Sequence, residues 1–493
     1  MVFSSPRFFV FLALLLLALA PRLRLATKLN ILLASSCFFY AAWDWRYLGL
    51  LLLVSVVNYE CGRRIHATAS PTVRRGWLLA SLVASLGTLA YFKYTNFLLD
   101  TFRPLFGAAG LSVTTLDILL PAGVSFYTFK AMSYTIDIYR QKLAPARSLT
   151  DYATFMSFFP ELIAGPIVRA SVFLPQMVRP IGPTSERLRT GLSIFLVGLS
   201  KKLLIADHMA SVADPIFADP GLYAPATLWM GVLAYALQIY CDFSGYSDMA
   251  IGTAKMIGYD LPEKFRLPYL ARDVSDFWRR WHVTLSTWLR DYLYIPLGGN
   301  RGGQARTYVN LLATMLLGGL WHGSSWNFVL WGALHGGALA VHRAAREVTG
   351  RTTLLPTPMA QALTFFFVLL CWVPFRAPDF PTSLTFLSRM FQPGIGGVLW
   401  VPSLLGWAVA AMVAAHTFGA VCEAAALGRR RARAITDAVL AVFGAELRQD
   451  AISGWYIAWG LGRLPGVVLI AGWILLLYFY APTGVSPFIY FQF

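Results

Sequence analysis

A succession of apolar runs separated by short polar links constrains this chain more than any other feature. The runs fall near residues 8–20, 29–42, 46–59, 77–99, 117–136, 151–168 and 190–206, then near 226–243, 308–321, 325–341, 360–375, 398–422 and 464–481. A helix needs about 20 largely apolar residues to cross the hydrocarbon core of a bilayer. In lipid only helices and closed barrels satisfy their own backbone. The pattern predicts an all-α polytopic membrane protein. A composition of 57% hydrophobic and 13% charged residues over 493 positions excludes an ordinary soluble domain. Several runs are too short to cross alone, so re-entrant, tilted or broken helices are expected where protein or water satisfies the backbone.

The net charge of +17 sits in short clusters between the apolar runs, including Arg63, Arg64, Arg74 and Arg75, and Arg429, Arg430, Arg431 and Arg433. That distribution reads as cytoplasmic faces under the positive-inside rule, not as a continuous nucleic-acid-binding stripe. The first residues place a single arginine ahead of an apolar core, as a secretory signal does, but the many spans that follow favour a retained first helix. Residues 423–455 turn polar and predict a cytoplasmic amphipathic insertion lying on anionic lipid. The rest, within 1–493, reads as a single membrane domain. Five cysteines at unrelated spacings predict neither a disulfide framework nor a metal site.

Four polar islands interrupt the apolar background. In WRRWHVTLSTWLRDYLYIPLGGNRGG, from Trp278 to Gly303, Trp281, Trp288 and Tyr292 recur at helical spacing with Phe277, while Arg279, Arg280, Arg290 and Asp291 supply charge. An amphipathic helix capped by Asp273 or Ser275 is expected, near the interface or lining a wet cavity. His282 is then either an interfacial anchor beside tryptophans or a functional group. In the second island no Asp, Glu, Lys or Arg occurs between Arg306 and Arg343, yet His322 lies near the middle. An ionisable group in such a run is a functional candidate, because lipid makes it expensive unless it faces protein or water. Gly318, Gly319 and Gly323 would admit a second backbone or a thin ligand, and Ser324 and Ser325 would let the helix break and re-cap. His335 reads as an interhelical hydrogen bond.

The third island, YALQIYCDFSGYSDMAIG, holds Asp242, Ser244, Ser247 and Asp248. A Ser, His and Asp set suits an intramembrane hydrolase with Ser244 or Ser247 as nucleophile, but no GxSxG elbow accompanies it. The plainer reading is polar groups bridging broken helices around a cavity. In the fourth island Lys130 and Asp137 sit at a spacing that allows an ion pair, Glu161 would pair with a nearby arginine, and Pro121, Pro160 and Pro166 end helices at depth. Lys201 and Lys202 either snorkel from a span end or bind a phosphorylated ligand.

The stretches LAYFKYTNF, LPAGVSFYTFKAMSYTIDIYR, FFPELIAGPIVR, YCDFSGYSDMAIG, FWRRWHVTLSTWLRDYLYIPLGGNR, GGLWHGSSWNFVLWGALHG and PFIYFQF together resemble the membrane-bound O-acyltransferase (MBOAT) family. Both termini are most similar to its bacterial alginate O-acetylation type, and less so to the D-alanyl transfer type; Cys241 stands where many relatives look aromatic. The resemblance implies about a dozen transmembrane helices, with re-entrant and interfacial ones, forming a ring around a central funnel and tunnel. It implies a buried catalytic histidine, which maps onto His322 in GGLWHG, and a second motif histidine, which maps onto His282 in WRRWH. It also implies a multi-pass protein of the bacterial inner membrane working with a periplasmic or membrane-anchored SGNH/GDSL-like acetyltransferase on an exopolysaccharide or cell-wall glycan.

Acyl transfer is therefore the expected chemistry, with acetyl-CoA as donor substrate, no bound cofactor and no nucleic-acid partner. His322 would act as general base or transient acyl carrier, kept neutral because burial disfavours the imidazolium. His282 would orient substrate or stabilise developing charge. Trp321, Trp281, Asp242 and Ser244 would line the substrate path, and Arg279, Arg280 and Lys201 would take the CoA phosphates. D-alanyl transfer from a carrier-protein thioester is the alternative within the family. A non-catalytic lipid or polysaccharide transporter is the alternative outside it.

Overall fold

Four helices among the described residues are long and apolar enough to cross a bilayer: Leu25–Asp44, Pro71–Ala108, Thr357–Arg376 and Ser403–Ala426. Most other apolar runs form helices that are shorter or interrupted by polar side chains. The computed structural model describes residues 1–481 apart from 113, 180–181, 352, 443, 451 and 460–463, so the terminal PFIYFQF lies outside the described residues. Among the described residues the single sheet is an antiparallel hairpin, Ala445–Asp450 against Gly454–Trp459. The chain divides into two compact units, Met1–Leu192 with Met249–Pro262, and Ser193–Asp248 with Glu263–Phe493.

In the first unit buried polar side chains tie helices together. Asn58, Ser81, Ser85 and Thr135 form one network, with Ser81 Oγ 2.6 Å from Asn58 Oδ1 and 2.8 Å from Thr135 Oγ1. It joins the helices Arg46–Ala67, Pro71–Leu89 and Val124–Tyr139. Such interhelical hydrogen bonds hold where no hydrophobic force separates helix from lipid. Lys130, on Val124–Tyr139, is fully buried and pairs with Glu161, while its Nζ also donates to the Phe155 carbonyl at 2.5 Å. The expected pairing of Lys130 with Asp137 and of Glu161 with an arginine is thus corrected. Two helical turns, about 11 Å of rise, separate Lys130 from Asp137, whereas the Phe159–Leu162 turn brings Glu161 directly to the ammonium.

In the second unit the helices Gln304–His322 and Trp326–Thr349 pack as an antiparallel pair with touching backbones. A Cβ on Gly319 would lie 2.2 Å from the Phe328 carbonyl oxygen, and one on Gly332 would lie 2.5 Å from that of Met315. Only glycine fits at either position. Gly318 and Gly323 face side chains instead, of Leu289 and Phe328.

The single amphipathic helix expected after Asp273 is broken. Asp273 does cap Val274–Arg280, accepting the Asp276 N–H at 2.7 Å, but the helix stops there and Val283–Leu289 starts anew. His282 between them adopts left-handed backbone, φ 43° and ψ 51°. The cause is a segment far back in sequence: the Arg266 N–H donates to the Arg280 carbonyl at 2.8 Å, and the Val283 N–H donates to the Lys264 carbonyl at 2.9 Å.

The expected insertion at 423–455 is likewise more divided than one helix. Ser403–Ala426 runs into it, Arg430–Val442 forms a separate helix, and the hairpin follows. Gly444 and Gly454 take positive φ at the hairpin's start and turn. Leu440 and Leu447 close a small core with Cys422 and Ala425.

Removing one partner of the Lys130–Glu161 pair strands a buried charge, at a cost of about 3–5 kcal/mol. Lys130→Met should lower stability by that amount in reversible detergent unfolding. Lys130→Met with Glu161→Leu should recover most of it; a double variant no more stable than the single one would mean the pair is not the cause.

Candidate active site

His322 is the last residue of Gln304–His322 and is 3% exposed, with the helix stopped by extended backbone at Gly323. Its ring is walled by Trp321, Trp331 and Phe375, with centroids at 5.0, 5.1 and 5.3 Å. His282 is 0% exposed and its ring centroid lies 6.3 Å from that of His322. Trp321 touches both rings, 6.0 Å from His282. Phe243 and Phe265 close the other side of His282, each at 6.2 Å. Two imidazoles thus share one aromatic enclosure.

The helix break determines what His282 offers. Its Nδ1 accepts the Leu285 N–H at 3.2 Å, serving as the cap of Val283–Leu289. A nitrogen that accepts carries no proton, so the neutral ring holds its proton on Nε2. That Nε2 is buried and has no hydrogen-bond partner among the described residues. His282 therefore presents an N–H donor to the interior of the enclosure.

The other predicted site residues separate into groups. Trp281 belongs to the wall, 4.9 Å from both Phe265 and Trp372 by ring centroids. Asp242 is 2.7 Å from Lys202 Nζ, which also binds Asp207 at 2.8 Å, so Lys202 is a buried bridge and not a snorkelling side chain. Ser244 Oγ is buried without a hydrogen-bond partner among the described residues, and Ser247 Oγ donates back to the Phe243 carbonyl at 2.8 Å. Neither serine is hydrogen-bonded to a histidine among the described residues, which is not the arrangement of a hydrolytic triad.

The three cations grouped for phosphate binding do not lie together. Lys201 pairs with Asp248 at 2.6 Å and lines a cavity of about 300 Å³ with Tyr240, Phe265, Arg266 and His416. In the loop beside that cavity, burial pushes the Glu263 carboxyl above its ordinary value against the pull of Arg266. Arg280 reaches Asp276 at 3.2 Å and Glu423 at 3.4 Å. Arg279 is largely exposed and lines a different cavity of about 570 Å³.

Sequence reasoning missed Phe243, Phe265, Trp331 and Phe375 as enclosure walls, and Lys264, whose buried Nζ lies 4.6 Å from the centre of the Phe243 ring. The WNFVLW spacing after GGLWHG was the available signal for Trp331. His335 makes the expected interhelical bond, accepting from Trp278 Nε1 at 3.3 Å.

The sequence model of the membrane-bound O-acyltransferase family matches residues 140–376. The chain is 45% identical over 404 residues to the protein named probable alginate O-acetylase AlgI of Azotobacter vinelandii, covering 80% of this chain and 79% of that one. It is 39% identical over 431 residues to the peptidoglycan O-acetyltransferase of Helicobacter pylori, covering 81% of each. A teichoic acid D-alanyltransferase of Streptococcus thermophilus is 29% identical over 245 residues, 47% of this chain and 58% of that one. The two acetylating relatives match over about four fifths of each chain. The chain belongs to the membrane-bound O-acyltransferase family and is a membrane-embedded acyltransferase.

Proposed function

We propose that the protein takes an acetyl group from acetyl-CoA on the cytoplasmic side of a bacterial inner membrane and passes it across for O-acetylation of an exopolysaccharide or cell-wall glycan. A periplasmic or membrane-anchored acetyltransferase of SGNH/GDSL type completes the transfer. About a dozen spans would enclose the path as a funnel and tunnel. The observation that carries the reading is the buried pair His322 and His282 in one aromatic enclosure, on a chain similar over most of its length to proteins named for O-acetylation.

His322 takes the proton of an acceptor hydroxyl while that oxygen attacks the thioester carbonyl carbon. The His282 Nε2–H donates to the carbonyl oxygen as it gains negative charge, in a site from which the aromatic walls exclude water. The C–S bond then breaks, and His322 returns the proton to the departing thiolate. The ester product and free CoA balance the substrates. His322 stands at a helix C-terminus, where unpaired carbonyls favour the imidazolium formed midway.

Lys201 and the cavity it lines, one aromatic ring from His282 through Phe265, suit the approach of the donor. D-alanyl transfer is disfavoured because two D-alanylating relatives match only 47% and 52% of the chain, at 29% and 25% identity.

His322→Ala and His322→Gln should each lower thiol release from acetyl-CoA by about 10²–10⁴-fold, measured on the purified protein in lipid with its glycan-modifying partner. A transporter would tolerate the glutamine. Turnover of a carrier-bound D-alanyl thioester without turnover of acetyl-CoA would replace the acetyl reading.

His282→Asn isolates the donor role. Asparagine tolerates left-handed backbone and caps helices, so this variant should fold with unchanged melting temperature. Its thiol release should fall about 10²–10³-fold, as for loss of an oxyanion donor. Full activity in His282→Asn would reduce His282 to a cap.

A further inference from the structure

The 570 Å³ cavity beside Arg279 is separate from the histidine enclosure, and the acyl-transfer steps proposed above make no use of it. It is a groove bordered by Val274–Arg280, Trp326–Thr349 and Thr357–Arg376. Trp326–Thr349 lines it with Ala338, Val341, His342, Ala345 and Arg346, one face at helical spacing. Thr357–Arg376 lines it with Thr357, Ala360, Leu363, Thr364 and Phe367, again one face. The second helix begins where the first carries Arg346. Both helices are therefore polar at one end of the groove and apolar at the other.

The polar end is cationic. Arg272, Arg279 and Arg346 ring it, and neither Arg272 nor Arg346 has a carboxylate partner among the described residues. The two acids present are each already engaged. Asp273 accepts the Asp276 N–H and stands 3.8 Å from His342, while Asp276 accepts the Arg272 N–H at 3.1 Å, pairs with Arg280 at 3.2 Å and lies 3.7 Å from the exposed Arg279. A phosphodiester is the complementary ligand, because guanidinium forks match its oxygens. Exposed Leu355, Leu363 and Val341 continue the groove onto the outer surface.

Length selects among phosphate-bearing ligands. From Thr357 to Phe367 the groove follows ten residues of helix, about 15 Å, which is half of a hydrocarbon core about 30 Å thick. That is the reach of one acyl chain in one leaflet. We propose that this groove is a binding site for an anionic glycerophospholipid, with its phosphate among Arg272, Arg279 and Arg346 and an acyl chain along Leu363 and Phe367. Basic pockets between membrane helices bind anionic headgroups in this way. The inner end of the groove reaches the active site through contacts alone: the Phe367 ring is 5.3 Å from His335, His335 is 4.7 Å from Trp331, and Trp331 is 5.1 Å from His322.

The test is lipid retention by the full chain, read by native mass spectrometry after exchange into detergent with defined phosphatidylglycerol or phosphatidylcholine. Phosphatidylglycerol should be retained selectively. Arg272→Gln and Arg346→Gln should each lower its retention about fivefold, the worth of one arginine near a headgroup, and Arg431→Gln, away from the groove, should not. Leu363→Asn should also lower retention, since it touches the chain and not the phosphate. Equal retention of both lipids, or no effect of the arginine variants, overturns the assignment. Displacement of phosphatidylglycerol by inorganic phosphate or by CoA overturns it too, marking a site for soluble phosphate. Because bound lipid is what is measured, the lipid site stands or falls independently of acetyl transfer.

Discussion

Peptide groups in a membrane protein's interior have to find partners within the protein, and the site depends on how one set of them does so. At Arg280 and Val283 a helix is interrupted, leaving a carbonyl and an N–H without partners in either helix. The extended segment Lys264–Arg266 supplies the missing donor and acceptor. That pairing holds His282 in left-handed backbone, and the left-handed backbone turns its ring to cap Leu285 through Nδ1. The proton on Nε2 follows from the cap. Which nitrogen of His282 carries the proton is thus set by two backbone hydrogen bonds to a loop.

His322 is placed by an independent constraint. The Gly319 and Gly332 contacts bring two helix backbones together about one and two turns before the histidine, so its position along the helix axis has little freedom. Trp321 and Trp331, one from each helix of the pair, then close on the ring. Flexibility in either helix would open the enclosure to water and weaken every electrostatic interaction inside it.

The burial of His322 was legible in the sequence because its signal is local: one ionisable group in a long run without charges, beside glycines. The Asp273 cap and the His335 hydrogen bond were legible for the same reason, since both follow from residue type and spacing. The break at His282 was not, because its cause lies 16 to 18 residues earlier in a segment with no pattern of its own. Lys130 shows the same limit. Its helix offered Asp137 at a plausible spacing, and nothing local pointed to Glu161, which is 31 residues away. The hairpin after Val442 was hidden by the basic amphipathic helix before it, whose composition dominated the reading of the whole insertion.

The cations show why composition alone could not assign a phosphate site. Lys201, Arg279 and Arg280 look equivalent in sequence, yet only their partners decide what each can do. Lys202 and Arg280 each face two carboxylates and Lys201 faces one, and a guanidinium or ammonium so engaged has little left to offer a ligand without leaving a buried acid unpaired. Arg272 and Arg346 have no such engagement among the described residues, and they stand at the end of an apolar groove rather than beside the histidines. Arg279 stands between the two groups, on the rim of the groove and 3.7 Å from the Asp276 that Arg280 also binds. A lipid phosphate drawn to Arg272 and Arg346 would leave the Lys201 and Lys202 ion pairs undisturbed, so that an anionic lipid would occupy the groove without loosening the packing that holds the two histidines together.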